Sequence, residues 1–362
     1  MSIFEEFAKE LNKSSEKRGD VVIRNNAPEF WLDSGNYVLN KITSGSYTKG
    51  WAQGRWGMFA GMSGVGKSFL IANAIKAAQD QDFGVFVLDS EHALDDGYLK
   101  KLDVDVDSPK FIYRGVNTIP SAQKEFSSFS SIFRKHGPEK MGRWLIVADS
   151  LDMLLTASEL DKFESGEVTG DQGQHAKQIK ALLNTWQQDI KNLPIVGLAT
   201  KQAYMEQDRI KALSEPFVIT ESVKFAFSQI IMCNKLQLKD KEKNHIGITL
   251  QARCTKTRFT QPFQKVKIEV PYASGMDRFS GLLDVAISQG IIEKNGGWYT
   301  YGDTKFQESN FSKVRDEVLK KLIQSEEDAI LDVEITEDFD NSDNLTRKDA
   351  VLESLSEFKK GK

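Results

Sequence analysis

Eight residues, Gly61-Met-Ser63-Gly64-Val65-Gly66-Lys67-Ser68, fit the pattern G-x-x-x-x-G-K-[ST]. Residues of these types at this spacing cradle a polyphosphate. The glycines let the backbone curl so that its N–H groups point inward at anionic oxygens. A helix that starts at the loop adds the positive end of its dipole. In this pattern Lys67 reaches the β/γ-phosphates and Ser68 ligates Mg²⁺. The flanks supply the context that a chance Gly-rich turn lacks. Trp56 to Ala60 are apolar and strand-like, and Leu70, Ile71, Ala74, Ile75 and Ala78 recur at helical spacing.

Two acidic strand ends come next. Val85-Phe86-Val87-Leu88 reads as a buried strand with Asp89-Ser90-Glu91-His92 at its carboxyl end, and Arg143 to Asp149 reads as a second apolar strand ending in an acid. Ligands bind at the carboxyl ends of strands in open α/β sheets. Glu91 therefore suits a general base that orients and activates water. Asp149 suits the second Mg²⁺-associated position of phosphate-loop NTPases. Either acid alone could simply cap a helix. Behind a phosphate loop, the catalytic reading is the stronger one.

The elements that must position these groups alternate along the chain. Residues 156–175 are polar and Gly-rich and are expected to form a mobile loop. A helix follows through Lys177, Lys180, Leu182, Leu183 and Trp186. Ile195 to Ala199 is another buried strand, with Thr200-Lys201-Gln202 at its tip. A second irregular stretch, 203–221, holds Tyr204, Met205, Arg209, Lys211 and Phe217. Long structureless loops in a compact domain are usually functional or disordered, so these two are candidates for a ligand surface. Strands are expected at 228–232, 246–254 and 264–270. Lys256 and Arg258, two residues apart, point the same way if extended. Spacing alone also allows a merely solvated face there.

The ends of the chain differ from its middle. Ile3, Phe4, Phe7 and Leu11 share one face of a predicted amphipathic helix at 1–17. With the run Val21-Val22-Ile23 it either folds back or adds to a neighbouring subunit. Residues 277–306 read as a small α/β unit turning at Gly296-Gly297. From 326 onward the sequence is polar and is expected to be disordered, with a short helix at 345–358. The 362 residues carry a net charge of −4, but 326–343 hold nine acids and no base, and 344–362 hold five bases and three acids, so residues 1–325 carry +3. No apolar run of 18 exists, and Cys233 and Cys254 make no metal or disulfide framework. These features predict a chain of the reducing cytoplasm, away from membranes.

Together these segments resemble the RecA family of recombinases, most closely its phage branch. The resemblance runs in unbroken order from about residue 20 to about 320. It is carried by Gly61–Ser68, by Leu88-Asp-Ser-Glu-His-Ala-Leu-Asp-Asp-Gly-Tyr98 and by Ile146-Val-Ala-Asp-Ser150. Further matches are Gly170-Asp171, Gln202, Lys224-Phe225, Lys256-Thr-Arg258 with Pro262-Phe263, Gly275 to Asp284 and Gly296-Gly-Trp-Tyr299. The E-H-A-L-D…Y and S-G-L-L-D…G-W-Y stretches are more specific than the two NTPase motifs.

The resemblance implies roles, residue by residue. Glu91 activates the attacking water, and Gln202 senses the γ-phosphate and signals to the loop after it. Nucleotide binding falls to Gly61, Ser63, Gly64, Val65, Gly66, Lys67, Ser68 and Phe69, with Asp95, Tyr98 and Tyr272 around the base. Ser68 and Asp149 hold the metal. Lys256 and Arg258 reach the ATP of the neighbouring subunit, and Phe225, Val22 and Ile23 lie at the interface. Gly170, Lys177, Lys180, Tyr204, Met205, Arg209, Lys211 and Phe217 grip DNA. The second loop departs from the family pattern, with Ile219-Thr220-Glu221 where Gly-Gly often stands, and Lys201 replaces a usual Asn.

The expected fold is α/β: a RecA-like, mostly parallel sheet with helices on both faces. The expected divisions are an N-terminal polymerisation arm (1–42), an ATPase core (43–276), a small C-terminal α/β domain (277–325) and an acidic tail (326–362). The implied cofactors are ATP and Mg²⁺. The implied partners are single- and double-stranded DNA, further copies of the chain, and single-strand-binding and loader proteins. Two rival readings are a ring helicase motor and an ATP-gated scaffold with no DNA role.

Overall fold

Every residue of 56–61, 84–89 and 144–149 is buried. Only strands covered on both faces tolerate that. A computed structural model, which describes residues 2–16, 27–166, 173–240 and 242–340, places these segments in one eight-stranded sheet. Its strands are β1 (Trp56–Gly61), β2 (Gly84–Asp89), β3 (Phe111–Gly115), β4 (Trp144–Asp149), β5 (Ile195–Gln202), β6 (Gln229–Lys239), β7 (His245–Lys256) and β8 (Lys265–Pro271). The order across the sheet is β8-β7-β6-β1-β5-β4-β2-β3. From β6 to β3 the neighbours are parallel, while β7 and β8 join antiparallel at one side. The α/β expectation holds.

Side-chain alternation splits the core into two layers. Phe59, Val87, Val147, Leu198 and Ile231 pack on one face, against a helix at Lys67–Asp80. Met58, Phe86, Ile146, Ala199 and Ile230 pack on the other, against helices at Ile119–His136 and Gln174–Ile190. Three strand glycines lie under indoles. A Cβ on Gly57 would sit 2.3 Å from Trp51, one on Gly197 2.3 Å from Trp56, and one on Gly84 2.5 Å from Trp144.

The first helix runs over Ile3–Glu16, and its Phe4 and Phe7 are exposed. Val22 and Ile23, expected at an interface, lie outside the described residues. The two loops expected to be irregular are partly ordered. Thr156 caps a helix at Ala157–Glu164 through a reciprocal box with Glu159. Within 203–221, Tyr204–Met205 pairs with Phe217–Val218 around a short helix, Arg209–Ser214, capped by Asp208. The Asp208 cap and the pairing of Tyr204–Met205 with Phe217–Val218 give this stretch local order that its polar composition hid.

Beyond the sheet, a helix at Leu282–Ser288 leads into a three-stranded antiparallel sheet, Glu293–Asn295, Trp298–Tyr301 and Thr304–Phe306. Tyr299 and Phe306 join the same buried cluster as Val38 and Leu282. The last described helix runs from Arg315 to Asp340. Residues 326–340, part of the stretch expected to be disordered, lie in this helix. Glu326 shows one reason: it pairs with Lys41 at 2.7 Å in a half-buried contact that pins the helix to residues 41–47. Residues 341–362, including the helix expected at 345–358, lie outside the described residues.

Candidate nucleotide site

Strand register gathers the chemistry. Gly61 at the end of β1 is the cross-strand partner of Gln202 on β5, and Asp89 on β2 is the partner of Asp149 on β4. β1, β5, β4 and β2 are consecutive in the sheet, so all four tips share one edge. The phosphate loop turns there. Gly66 takes φ +99° just before the helix begins at Lys67, a conformation that suits glycine. Gly61 needs its missing side chain for another reason, since a Cβ would meet the Cys233 carbonyl oxygen at 2.6 Å. Val65 turns its side chain into the core, so it can offer a ligand only its backbone. Lys67 donates to the carbonyls of Gly61 (3.1 Å) and Met62 (3.0 Å) and so folds back over the curl of the loop.

Asp149 is almost fully buried and accepts from the Thr200 hydroxyl. Burial pushes its carboxyl up to about 6, against the pull of the nearby Thr200 and Ser68 hydroxyls. Its Oδ2 is buried without a hydrogen-bond partner. A buried carboxylate oxygen left open beside the Ser68 hydroxyl fits a hard cation such as Mg²⁺.

Glu91 stands at the same edge. The Ser150 hydroxyl donates to its Oε1 at 2.6 Å, and its backbone N–H is held by Asp89 Oδ1 at 3.0 Å. Asp89 itself is spent on structure, since its Oδ2 accepts from the Leu94 N–H (3.0 Å) and the Tyr113 hydroxyl (3.1 Å). Ser90 and Ser150 stitch the two strand tips together, with Ser90 Oγ donating to Ser150 O at 2.6 Å. The tip thus holds one acid fixed by structure and one turned outward.

Beside the loop lies a cleft of about 630 Å³ walled by Gly64, Gly66, Phe69, Tyr98 and Tyr272. Its aromatic walls suit a planar base. Burial, with the charge of Asp149, pushes the Tyr98 hydroxyl up to about 12, so it stays neutral. Asp95 does not line the cleft. It caps the helix Asp96–Lys101 by accepting the Tyr98 N–H at 2.9 Å and so orients the tyrosine's helix. Lys235, which the sequence reading missed, does line the cleft and donates to the Gly64 carbonyl. Only strand pairing reveals it, because β6 runs parallel beside β1, with Cys233 level with Gly61.

Lys256 and Arg258 lie elsewhere. Lys256 is level with Ile230, which is level with Met58, so the pair sits toward the amino-terminal edge of β1, away from the phosphate loop. Lys256 Nζ donates to the Lys224 carbonyl at 2.6 Å and lies 5.9 Å from the centre of the Phe225 ring. Phe225 is exposed. Burial, and then the charge of Arg258, pulls the Lys256 ammonium below its usual range.

Of the expected DNA-contacting residues, Lys177 and Lys180 are exposed on the helix at 174–190, and Tyr204, Met205 and Arg209 are exposed on the hairpin. Phe217 is half-buried and Lys211 is exposed. Gly170 lies outside the described residues.

The sequence profile of the RecA N-terminal domain matches residues 29–277, more than half of the chain and all of the sheet just described. The chain belongs to the RecA family. Among its RecA-family relatives, the protein RecA of Tropheryma whipplei is 26% identical over 325 residues, which cover 84% of this chain and 69% of that protein. RecA of Leptospira meyeri is 26% identical over 263 residues, 71% of this chain and 63% of that protein. RecA of Chlorobaculum tepidum is 26% identical over 306 residues, 82% of each. The matched stretch thus spans between about six- and eight-tenths of these relatives. The matched RecA domain carries every candidate nucleotide residue and both candidate cations. Among the described residues, no helix is long and apolar enough to cross a membrane.

Proposed function

We propose that this RecA-family chain is a DNA-dependent ATPase that assembles helically on single-stranded DNA and pairs and exchanges homologous strands. One observation carries the reading. The water-activating and metal-associated carboxylates stand at one edge of the sheet, while Lys256 and Arg258 stand at the other. An ATP bound at Gly61–Ser68 therefore lacks two of its expected cations unless a second subunit supplies them. Heterologous contacts of this kind build open helices where the rotation between neighbours does not close into a ring.

In this reading Ser68 and Asp149 hold Mg²⁺, which neutralises phosphate charge. Glu91, oriented by Ser150, accepts a proton from water. Lys67 leaves the carbonyls of Gly61 and Met62 for the phosphates. Phe69, Tyr98 and Tyr272 enclose the base. Gln202, one strand from Gly61, senses the terminal phosphate and carries its state into the hairpin at 204–218. That hairpin and the helix after 173 grip DNA through phosphates and base faces with little sequence readout. The exposed face of the N-terminal helix and Phe225 dock the neighbour. The arm at 1–42, the core at 43–276 and the unit at 277–325 are proposed as working parts. The short phosphate loop and the S-G-L-L-D stretch support a phage recombinase of the UvsX type, acting in the host cytoplasm with single-strand-binding and loader proteins.

Electron microscopy with single-stranded DNA and a non-hydrolysable ATP analogue tests the reading. It expects open right-handed helices. Closed hexamers would favour the ring motor, and ATP turnover indifferent to DNA would favour the scaffold.

A further inference from the structure

Asp152 binds two consecutive residues of β5. One carboxylate oxygen pairs with the Lys201 ammonium, and the other accepts the Gln202 N–H at 2.6 Å. The ion pair is largely buried, with side-chain exposures of 6% for Lys201 and 15% for Asp152. A buried pair of this sort contributes little net stability, yet losing one partner strands a charge. Its value lies in what it fixes.

Strand alternation decides that. Thr200 and Gln202 share a face, and Thr200 donates there to Asp149. Lys201 shares the opposite face with Ala199 and Ala203, which pack on the side of the helix at 174–190. There it lines a cavity of about 330 Å³ with Asp152, Glu159, His175, Gln202, Tyr204 and Thr220. His175 ends the first loop, and Tyr204 and Thr220 bound the second. A single carboxylate therefore holds the Gln202 backbone, which is level with Gly61, and the Lys201 ammonium, and both residues line the space between the loops.

We propose that Asp152 is a positioning residue: it holds Gln202 in register with Gly61 and makes that position depend on what enters the cavity between the loops. The entrant is a backbone phosphate of the bound strand, which competes with Asp152 for the Lys201 ammonium. This part rests on the DNA-binding reading above. The hold on Gln202 does not.

The test uses the full chain as wild type, Asp152→Ala and Asp152→Ala/Lys201→Met. The double variant removes both charges and keeps the fold where the single variant strands Lys201. Amide hydrogen exchange at Gln202 is read with Mg²⁺ and an ATP analogue, with and without oligothymidylate, beside ATP kinetics. We expect Gln202 exchange to rise at least tenfold in both variants, and oligothymidylate to alter it in wild type alone. The DNA-stimulated kcat should fall at least tenfold, with KM for ATP within twofold. Unchanged Gln202 exchange in the double variant overturns the hold. An oligothymidylate response as large in the variants as in wild type overturns the coupling. A purely structural pair would lower the melting temperature and leave kcat per folded molecule and the response to DNA intact. If wild type binds oligothymidylate in anisotropy titrations but shows no response at Gln202, the coupling is wrong. If wild type does not bind it at all, both the DNA reading and the coupling fall, and exchange at Gln202 still decides the hold.

Discussion

The hydroxyl of Ser150 donates to Glu91 across the tips of two adjacent strands, 2.6 Å from Oε1. One carboxylate oxygen is thereby fixed, and the other is left to accept a proton. Glu91→Gln should bind ATP and DNA as wild type does and lose turnover by about 10²–10⁴-fold, the range for a missing general base. Ser150→Ala keeps the base and loses only its orientation, so its kcat should fall less. Near-normal DNA-stimulated ATP turnover in Glu91→Gln would remove Glu91 from that role.

Lys235 ties the phosphate loop to β6 through the Gly64 carbonyl. Lys235→Met should loosen the loop and weaken nucleotide affinity by about tenfold, the scale of one lost hydrogen bond from a charged donor. Titration with a fluorescent ADP analogue measures it. Equal affinities would make the contact incidental.

Lys256 and Arg258 are expected to act on a neighbour's ATP. Lys256→Ala/Arg258→Ala should bind ATP and hydrolyse it poorly, as should Glu91→Gln. Mixed equally on DNA, the two should recover up to roughly a quarter of wild-type turnover, since each interface draws one subunit of either kind from each side. Mixed filaments that stay inactive would place the cations in cis or outside catalysis.

Gly197 lies under the Trp56 indole, where a Cβ would approach to 2.3 Å. Gly197→Ala must displace an indole stacked on Trp186. It should cost about 1–3 kcal/mol, the range for an overpacked core. Urea denaturation midpoints check this, and an unchanged midpoint would show that the layer gives way freely.

The acids of residues 326–340 are expected to restrain DNA binding by competing for the cationic loops. Cutting after Glu327 keeps the Lys41–Glu326 pair and removes the later acids of the helix, while cutting after Asp340 removes a segment with four acids and five bases. Only the first truncation should speed association with duplex DNA, most strongly at low salt. Identical stopped-flow rates for all three chains would make the acids bystanders.

Much of this was legible from local pattern. A strand, a glycine curl and a helix are short-range features, so the loop at 61–68 and the acids Glu91 and Asp149 could be read directly. What the sequence hid were partnerships at long separation. Lys235 meets Gly64 only because β6 pairs with β1, and Asp152 meets Lys201 only because β4 lies beside β5. The hairpin within 203–221 was missed because its two-residue strands are too short to show alternation. The helix past 326 was missed in part because the half-buried Lys41–Glu326 pair joins positions 285 residues apart.

The placement of the phosphate loop and the Lys256–Arg258 pair at opposite edges of one stiff sheet gives any row of these subunits a direction. One terminus ends in a loop whose bound phosphates no neighbour answers. The other ends in an exposed Arg258 and a half-buried Lys256 that no neighbour's phosphates meet. The ends are chemically unlike, so under the proposed function subunits should join and leave them at different rates, and hydrolysis at one end should not mirror hydrolysis at the other.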